Sequence, residues 1–229
     1  MYLEIGHRGA SAYEPENTLR SFHRAFELSA DMVELDIHLS KDGRAIVIHS
    51  EDLHHTTDGH GCVQDKTLAE LKLLDAGRGE RIPTLREAIG VARGQGGSYI
   101  ELKGEGTPQV VAKIVRAEDF VAHVIVGSFK PWLVRDFKAL APEMRTSILV
   151  GQTDVDHIAL ARAVGADYVH LCWENRSPAP HELLTPELLA AIHAAGLGII
   201  LWHEERESEL AALTKIDVDG ICSNKPDLL

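Results

Sequence analysis

Seven side chains capable of phosphate or metal chemistry stand at the ends of short apolar runs. His7 and Arg8 follow the run Leu3–Gly6. Glu34 and Asp36 lie within Met32–Leu39, and His49 closes the run 44–49. Glu101 and Lys103 close the run 99–102. Residues two apart on a strand share a face, so Glu34 pairs with Asp36, Glu101 pairs with Lys103, and Val33, Leu35 and Ile37 take the opposite side. Carboxylates gathered on an inward face repel and are costly to desolvate unless a cation joins them. Glu34, Asp36 and Glu101 therefore read as the ligands of one divalent cation. An all-oxygen donor set favours Mg2+ or Ca2+, with Mn2+ as a further candidate, over zinc. The competing reading is a set of solvated edge carboxylates, or a Glu101–Lys103 ion pair. Imidazole titrates near neutral pH, which makes His7 and His49 candidates for general acid and base. The chain holds 13 histidines, so most of them serve other ends. His7 is set apart by Arg8 and Gly9, since a guanidinium matches a phosphate fork and glycine lets backbone approach a ligand. Lys103 supplies a second cation. A divalent metal, Arg8 and Lys103 around an anion, flanked by two imidazoles, suit displacement at phosphorus.

The elements that must position these groups read as strand then helix, repeated. Nine strand candidates appear: Leu3–Gly6, Met32–Leu39, 44–49, 99–102, 123–126, 146–150, 167–171, 198–202 and 220–222. Between them lie helices with apolar spacing, one with Leu19, Phe22 and Phe26 behind Asn17 as a cap, another with Leu85, Ala88, Ile89 and Ala92 behind Thr84. The second and third strands are joined only by Ser40-Lys41-Asp42-Gly43. So short a link cannot make a parallel crossover, so this pair is an antiparallel hairpin that sets His49 opposite Leu35. Eight strands then remain in series with helices, the count of a (β/α)8 TIM-type barrel in the α/β class. An open doubly wound sheet is the alternative, but Gly-x-Gly-x-x-Gly is absent after the first strand. In such a barrel the active site lies at the C-terminal strand ends, where all seven residues fall. Residues 50–83 have poor periodicity and read as a small cap inserted after the hairpin. The expected organisation is a single domain over 1–229 carrying that insertion.

Composition removes other classes. Lys and Arg number 23 against 35 Asp and Glu, a net charge of −12, so the broad basic face that drives nucleic-acid binding is missing. No stretch approaches the roughly 20 apolar residues of a membrane span. Cys62, Cys172 and Cys222 are odd in number and far apart, which argues against a disulfide framework and for a reducing, cytoplasmic setting. The expected partner is a small-molecule phosphodiester, and the oligomeric state is left open, a homo-oligomer included.

His7-Arg8-Gly9, Pro15-Glu16-Asn17-Thr18, Glu34-Leu35-Asp36, Lys41-Asp42-Gly43, Glu101-Leu102-Lys103 and Asp219-Gly220-Ile221 resemble the glycerophosphodiester phosphodiesterase family across nearly the whole chain. Thr56-Thr57 with Gly59, and Leu74-Asp75-Ala76-Gly77, resemble that family's insertion. The resemblance implies a (β/α)8 barrel and metal-dependent hydrolysis of glycerophosphodiesters to glycerol 3-phosphate and an alcohol. It implies His7 and His49 as the acid–base pair, Glu34, Asp36 and Glu101 as metal ligands, and Arg8 and Lys103 on the phosphate. Two places depart from the family pattern. Ser50 follows His49 where Asp is usual, and Trp202-His203-Glu204-Glu205 stands for Trp-Thr-Val-Asn. Trp202 is retained and is expected to pack on the glycerol carbons. His38, His170 and Trp173 are further candidates for substrate contact. The alternatives are a sugar phosphodiester or lysophospholipid as substrate, or a homologue that binds a diester without turning it over.

Overall fold

The computed structural model describes residues 2–229, apart from the side chain of Trp202. Its elements run β1 (Leu3–Gly6), α1 (Leu19–Glu27), β2 (Met32–Leu39), β3 (Ala45–Val47), α2 (Leu68–Leu71), α3 (Leu85–Ala92), β4 (Gly97–Leu102), α4 (Thr107–Ala117), β5 (Val124–Ser128), α5 (Pro131–Leu140), β6 (Arg145–Val150), α6 (His157–Val164), β7 (Tyr168–Leu171), α7 (Pro186–Ala194), β8 (Gly198–Glu204), α8 (Glu207–Leu213) and β9 (Gly220–Ser223).

Eight of these strands form a closed parallel barrel in the order β1, β2, β4, β5, β6, β7, β8, β9, with β9 returning to β1. The ninth, β3, lies antiparallel against β2 in the register Ile37 to Val47. It is shorter than the expected run 44–49, and His49 lies two residues beyond it. The Ile48 N–H still donates to the Asp36 carbonyl at 3.0 Å, so the pairing line that sets His49 near Leu35 persists past the strand.

The outward faces of the strands, such as Val33, Leu35, Ile37 and Ile100, pack under helices with Phe22, Ala88, Ile89 and Val115. The far half of the ring is built likewise, with Val169, Ile199 and Ile221 under Ile192 and Leu210. Inside the barrel Ile5, Met32, Tyr99, Ile125 and Ile200 close the lower end. Residues between β3 and α3 form the expected insertion. It carries its own small core, Leu53, Val63, Leu71 and Ile82, against Ile46 and Ile48 of the hairpin.

Helix α3 starts as expected, with Thr84 and Glu87 in a reciprocal capping box. Helix α1 corrects an expectation: its cap is Thr18, whose side chain accepts from Ser21 N–H, and not Asn17. Asn17 instead adopts a left-handed backbone (φ 56°), and its side chain is needed elsewhere. No helix among the described residues is long and apolar enough to cross a membrane.

Candidate active site at the barrel mouth

The turn after β1 brings His7 and Arg8 over the barrel. Arg8 has a left-handed backbone (φ 52°), a conformation that persists only when its surroundings over-determine it. They do: its N–H donates to Glu34 Oε2 at 2.9 Å, and its carbonyl accepts from Asn17 N–H and from the Ser21 hydroxyl. Gly9 (φ 83°) completes the turn, and a Cβ there would lie 2.3 Å from Ser21 Oγ.

Strand β2 contributes Glu34 and Asp36, and β4 contributes Glu101. One carboxylate oxygen from each lies within 4.8 Å of the others, and all three side chains are buried. Asp36 is held by four contacts from three neighbours. Asn17 Nδ2 donates at 2.8 Å, the Asp36 N–H donates back to Asn17 Oδ1 at 3.3 Å, Lys103 Nζ lies 2.9 Å away and Arg8 Nε 3.5 Å. Lys103 also reaches Glu101 Oε1 at 2.7 Å, and Arg8 grips Glu16 at 2.9 and 3.0 Å. The Glu101–Lys103 ion pair and the acidic cluster thus coexist. Four carboxylates face two cations, and the excess negative charge suits a hard divalent ion held by Glu34, Asp36 and Glu101.

Charge is distributed unevenly among the three. Burial pushes Glu34 well above the usual carboxylate range, and the charges of Asp36 and Glu101 add to this. Glu101 is pushed up to about 7, again chiefly by burial, with Lys103 opposing. Burial acts on Asp36 in the same sense, but Lys103 and Arg8 outweigh it and hold this carboxyl below its ordinary value. Asp36 is the member most readily ionised, because Lys103 and Arg8 both act on it.

The two histidines sit on either side of the acids. His7 donates Nδ1–H to Asn224 Oδ1 at 2.6 Å, and its Nε2 lies 3.9 Å from Glu34 Oε2. Asn224 also accepts from the Ser11 hydroxyl and donates Nδ2–H to Glu205, so its amide orientation is fixed and with it the His7 tautomer. The ring of His203 stacks on His7, centroids 4.2 Å apart and nearly parallel. Burial lowers His7 well below its ordinary value, His203 and Arg8 adding to it. His49 is lowered to about 4, mainly by burial. Ser50 Oγ lies 3.4 Å from its Nδ1, a weak substitute for a carboxylate. His38, expected as a substrate contact, instead donates Nε2–H to the His49 carbonyl at 3.1 Å.

His7, Arg8, Glu34, His49, Glu101 and Lys103 line one cavity of about 200 Å³. Asp36 lies behind them, 1% exposed. The backbone of Trp202 is in β8, but its side chain lies outside the described residues. Of the other candidates, His170 lines the cavity. Trp173 is buried with its Nε1–H on the Gln152 carbonyl, which assigns it to the support of the β7 loop. Asn17, Glu16, Asn224, Phe129 and Glu174 escaped the reading of the sequence. Pro15-Glu16-Asn17-Thr18 carried a signal only as a motif, and the remaining three carried none. His203 reaches the cavity through a register slip between Leu201 and His203 against β9, which strict alternation along β8 does not foresee.

A profile of the glycerophosphoryl diester phosphodiesterase family matches residues 7–228. A glycerophosphodiester phosphodiesterase of Caldanaerobacter subterraneus subsp. tengcongensis is 35% identical over 240 residues, covering 99% of this chain and 96% of that protein. Among solved structures, a glycerophosphodiester phosphodiesterase from Agrobacterium tumefaciens aligns over 100% of this chain and 98% of its own with TM-score 0.88 at 30% identity. An Oleispira antarctica phosphodiesterase in complex with the product sn-glycerol-3-phosphate aligns over 97% and 93% with TM-score 0.85 at 29% identity. The chain therefore belongs to the glycerophosphoryl diester phosphodiesterase family.

Proposed function

We propose that this protein hydrolyses glycerophosphodiesters to sn-glycerol 3-phosphate and an alcohol in a metal-dependent reaction. The observation that carries the reading is the cavity that joins three clustered carboxylates, two cationic side chains and two imidazoles. Glu34, Asp36 and Glu101 would hold one divalent cation, Mg2+, Ca2+ or Mn2+, which would supply Lewis-acid polarisation of a phosphoryl oxygen. Arg8 and Lys103 bind the diester phosphate and offset the charge that grows on its oxygens. His7 takes the proton of the nucleophile, which is water or the substrate's own glycerol hydroxyl. The Nδ1–H tautomer held by Asn224 supports this role, because it leaves the Nε2 lone pair free to accept. His49 protonates the departing alkoxide, a poor leaving group unaided, once the negative charge of the bound diester has raised its proton affinity from the low value that burial sets. We read the domain as one unit over 1–229, and the three unpaired cysteines support a cytoplasmic setting.

The test is release of sn-glycerol 3-phosphate from glycerophosphocholine with Mg2+, Ca2+ or Mn2+ added, beside a sugar phosphodiester and a lysophospholipid. Turnover of the first diester that EDTA abolishes and metal restores is the expected result. Full turnover after exhaustive chelation would remove the metal. Turnover of one of the other substrates alone would change the substrate class, and binding without turnover of any would leave a diester-binding homologue.

A further inference from the structure

The cavity has two unlike walls. One, on β1, β2 and β4, holds the residues described above. Round the closed ring, β7 is separated from β4 by two strands and from β2 by three, so the loop after β7 stands across the mouth. That loop presents Glu174 to the same cavity, and the residue after β5 presents Phe129.

The Glu174 carboxylate has few hydrogen-bond partners. Among the described residues its Oε2 is buried without a hydrogen-bond partner, and its Oε1 receives only Asn175 Nδ2 at 3.3 Å. Arg206 passes close by but donates to the Glu174 backbone carbonyl at 3.0 Å and spends its ion pair on Glu204. The ionisable ring on this wall, His203, is lowered below its ordinary value, chiefly by burial, although the charge of Glu174 opposes this. A carboxylate oxygen shut away from water without a partner is costly, and such a group in a ligand cavity is satisfied by what the cavity binds. Phe129, 48% exposed, adds an aromatic surface at the same mouth, and carboxylate plus aromatic surface is the equipment for an ammonium group.

We infer that Glu174 and Phe129 form a subsite for a positively charged leaving group, so that the preferred diesters release an amino alcohol or quaternary ammonium alcohol. The inference rests on the diesterase reading and specifies its substrate class. The diester anion sits at Arg8 and Lys103, and its cationic end points across the mouth to Glu174. The leaving alcohol must depart to solvent, which places the variable half of the substrate at the rim, where Phe129 is exposed. The constant glycerol half then faces inward.

Wild type, Glu174→Gln and Phe129→Ala are assayed for kcat and KM on glycerophosphocholine, glycerophosphoethanolamine and glycerophosphoglycerol, whose leaving alcohol is neutral. In wild type, kcat/KM for the two cationic diesters is expected to exceed that for the neutral one at least tenfold. Glu174→Gln, which keeps the shape and removes the charge, lowers that ratio about tenfold, mainly through KM. Phe129→Ala lowers it about threefold, most for the quaternary ammonium, and serves alone if the glutamine variant fails to fold. A ratio unchanged in both variants overturns the subsite. So does equal loss on all three diesters, which would put Glu174 on the shared glycerol half. If wild type turns over none of the three, the diesterase reading itself falls, an outcome distinct from active enzyme without discrimination.

Discussion

The lower and upper layers of the barrel interior are built by the same strands two residues apart, yet they do opposite things. On β2 the inward face climbs from Met32 to Glu34 to Asp36, and on β4 from Tyr99 to Glu101, with Lys103 just past the strand's end. On β1 it climbs from Ile5 to His7, just past the strand's end. The lower members are apolar apart from the Tyr99 hydroxyl and closed to water. Each such side chain contributes roughly 1.5–3 kcal/mol by leaving solvent. The upper members are ionisable and almost as deeply buried, Glu34 at 4% and Glu101 at 7% exposed. Their burial costs free energy, which appears as the raised values of both carboxyls. The floor and the outer helical layer supply the stability that allows the mouth to hold strained and crowded charge.

The separation of roles has measurable consequences. The largest concerns the mouth. His7→Ala and His49→Ala are each expected to lower turnover by about 10² to 10⁴, while the melting temperature changes little. Near-wild-type turnover in either variant would remove that histidine from the mechanism. The floor should show the reverse. Ile200→Ala, at a fully buried position, is expected to cost about 2–5 kcal/mol in denaturant unfolding, with kcat per folded molecule nearly unchanged. A large fall in kcat would show that the two layers are energetically fused.

The smallest effect lies in pH. Burial pushes folded Glu101 up to about 7, above its unfolded value, so folding favours its protonated form. Its ionisation therefore costs the metal-free protein stability as pH rises from the unfolded value through about 7, and that cost is absent in acid. A cation competes with the same proton. Apparent Mg2+ or Ca2+ affinity by calorimetry should weaken about fivefold on lowering the pH from 7 to 6, as the ionised fraction of Glu101 falls from about a half to about a tenth. Affinity that stays level over that range would mean Glu101 is not a ligand.

Much of this was legible from residue order. A strand's two-residue period forces Glu34 and Asp36 onto one face and Val33, Leu35 and Ile37 onto the other, whatever the rest of the chain does. The four-residue link at Asp42-Gly43 required a hairpin, and removing one hairpin strand left the eight that close the ring. Thr84 marked a helix start, and the capping box it makes with Glu87 spans only three residues. These are local consequences of backbone geometry, so residue order suffices.

The contacts that set the chemistry of the mouth join strands far apart in the chain, and only closure of the barrel created them. Asn17 read as a cap but bonds Asp36. Asn224 meets His7 across 217 residues, and a slipped register carries His203 onto the same ring. Asp36 is ionised and Glu34 resists ionisation although they stand two residues apart, because Lys103 and Arg8 reach one more closely than the other. Local periodicity decides which way a side chain faces. Which charges then meet, and at what cost in lost water, depends on distances that exist only once the ring is closed.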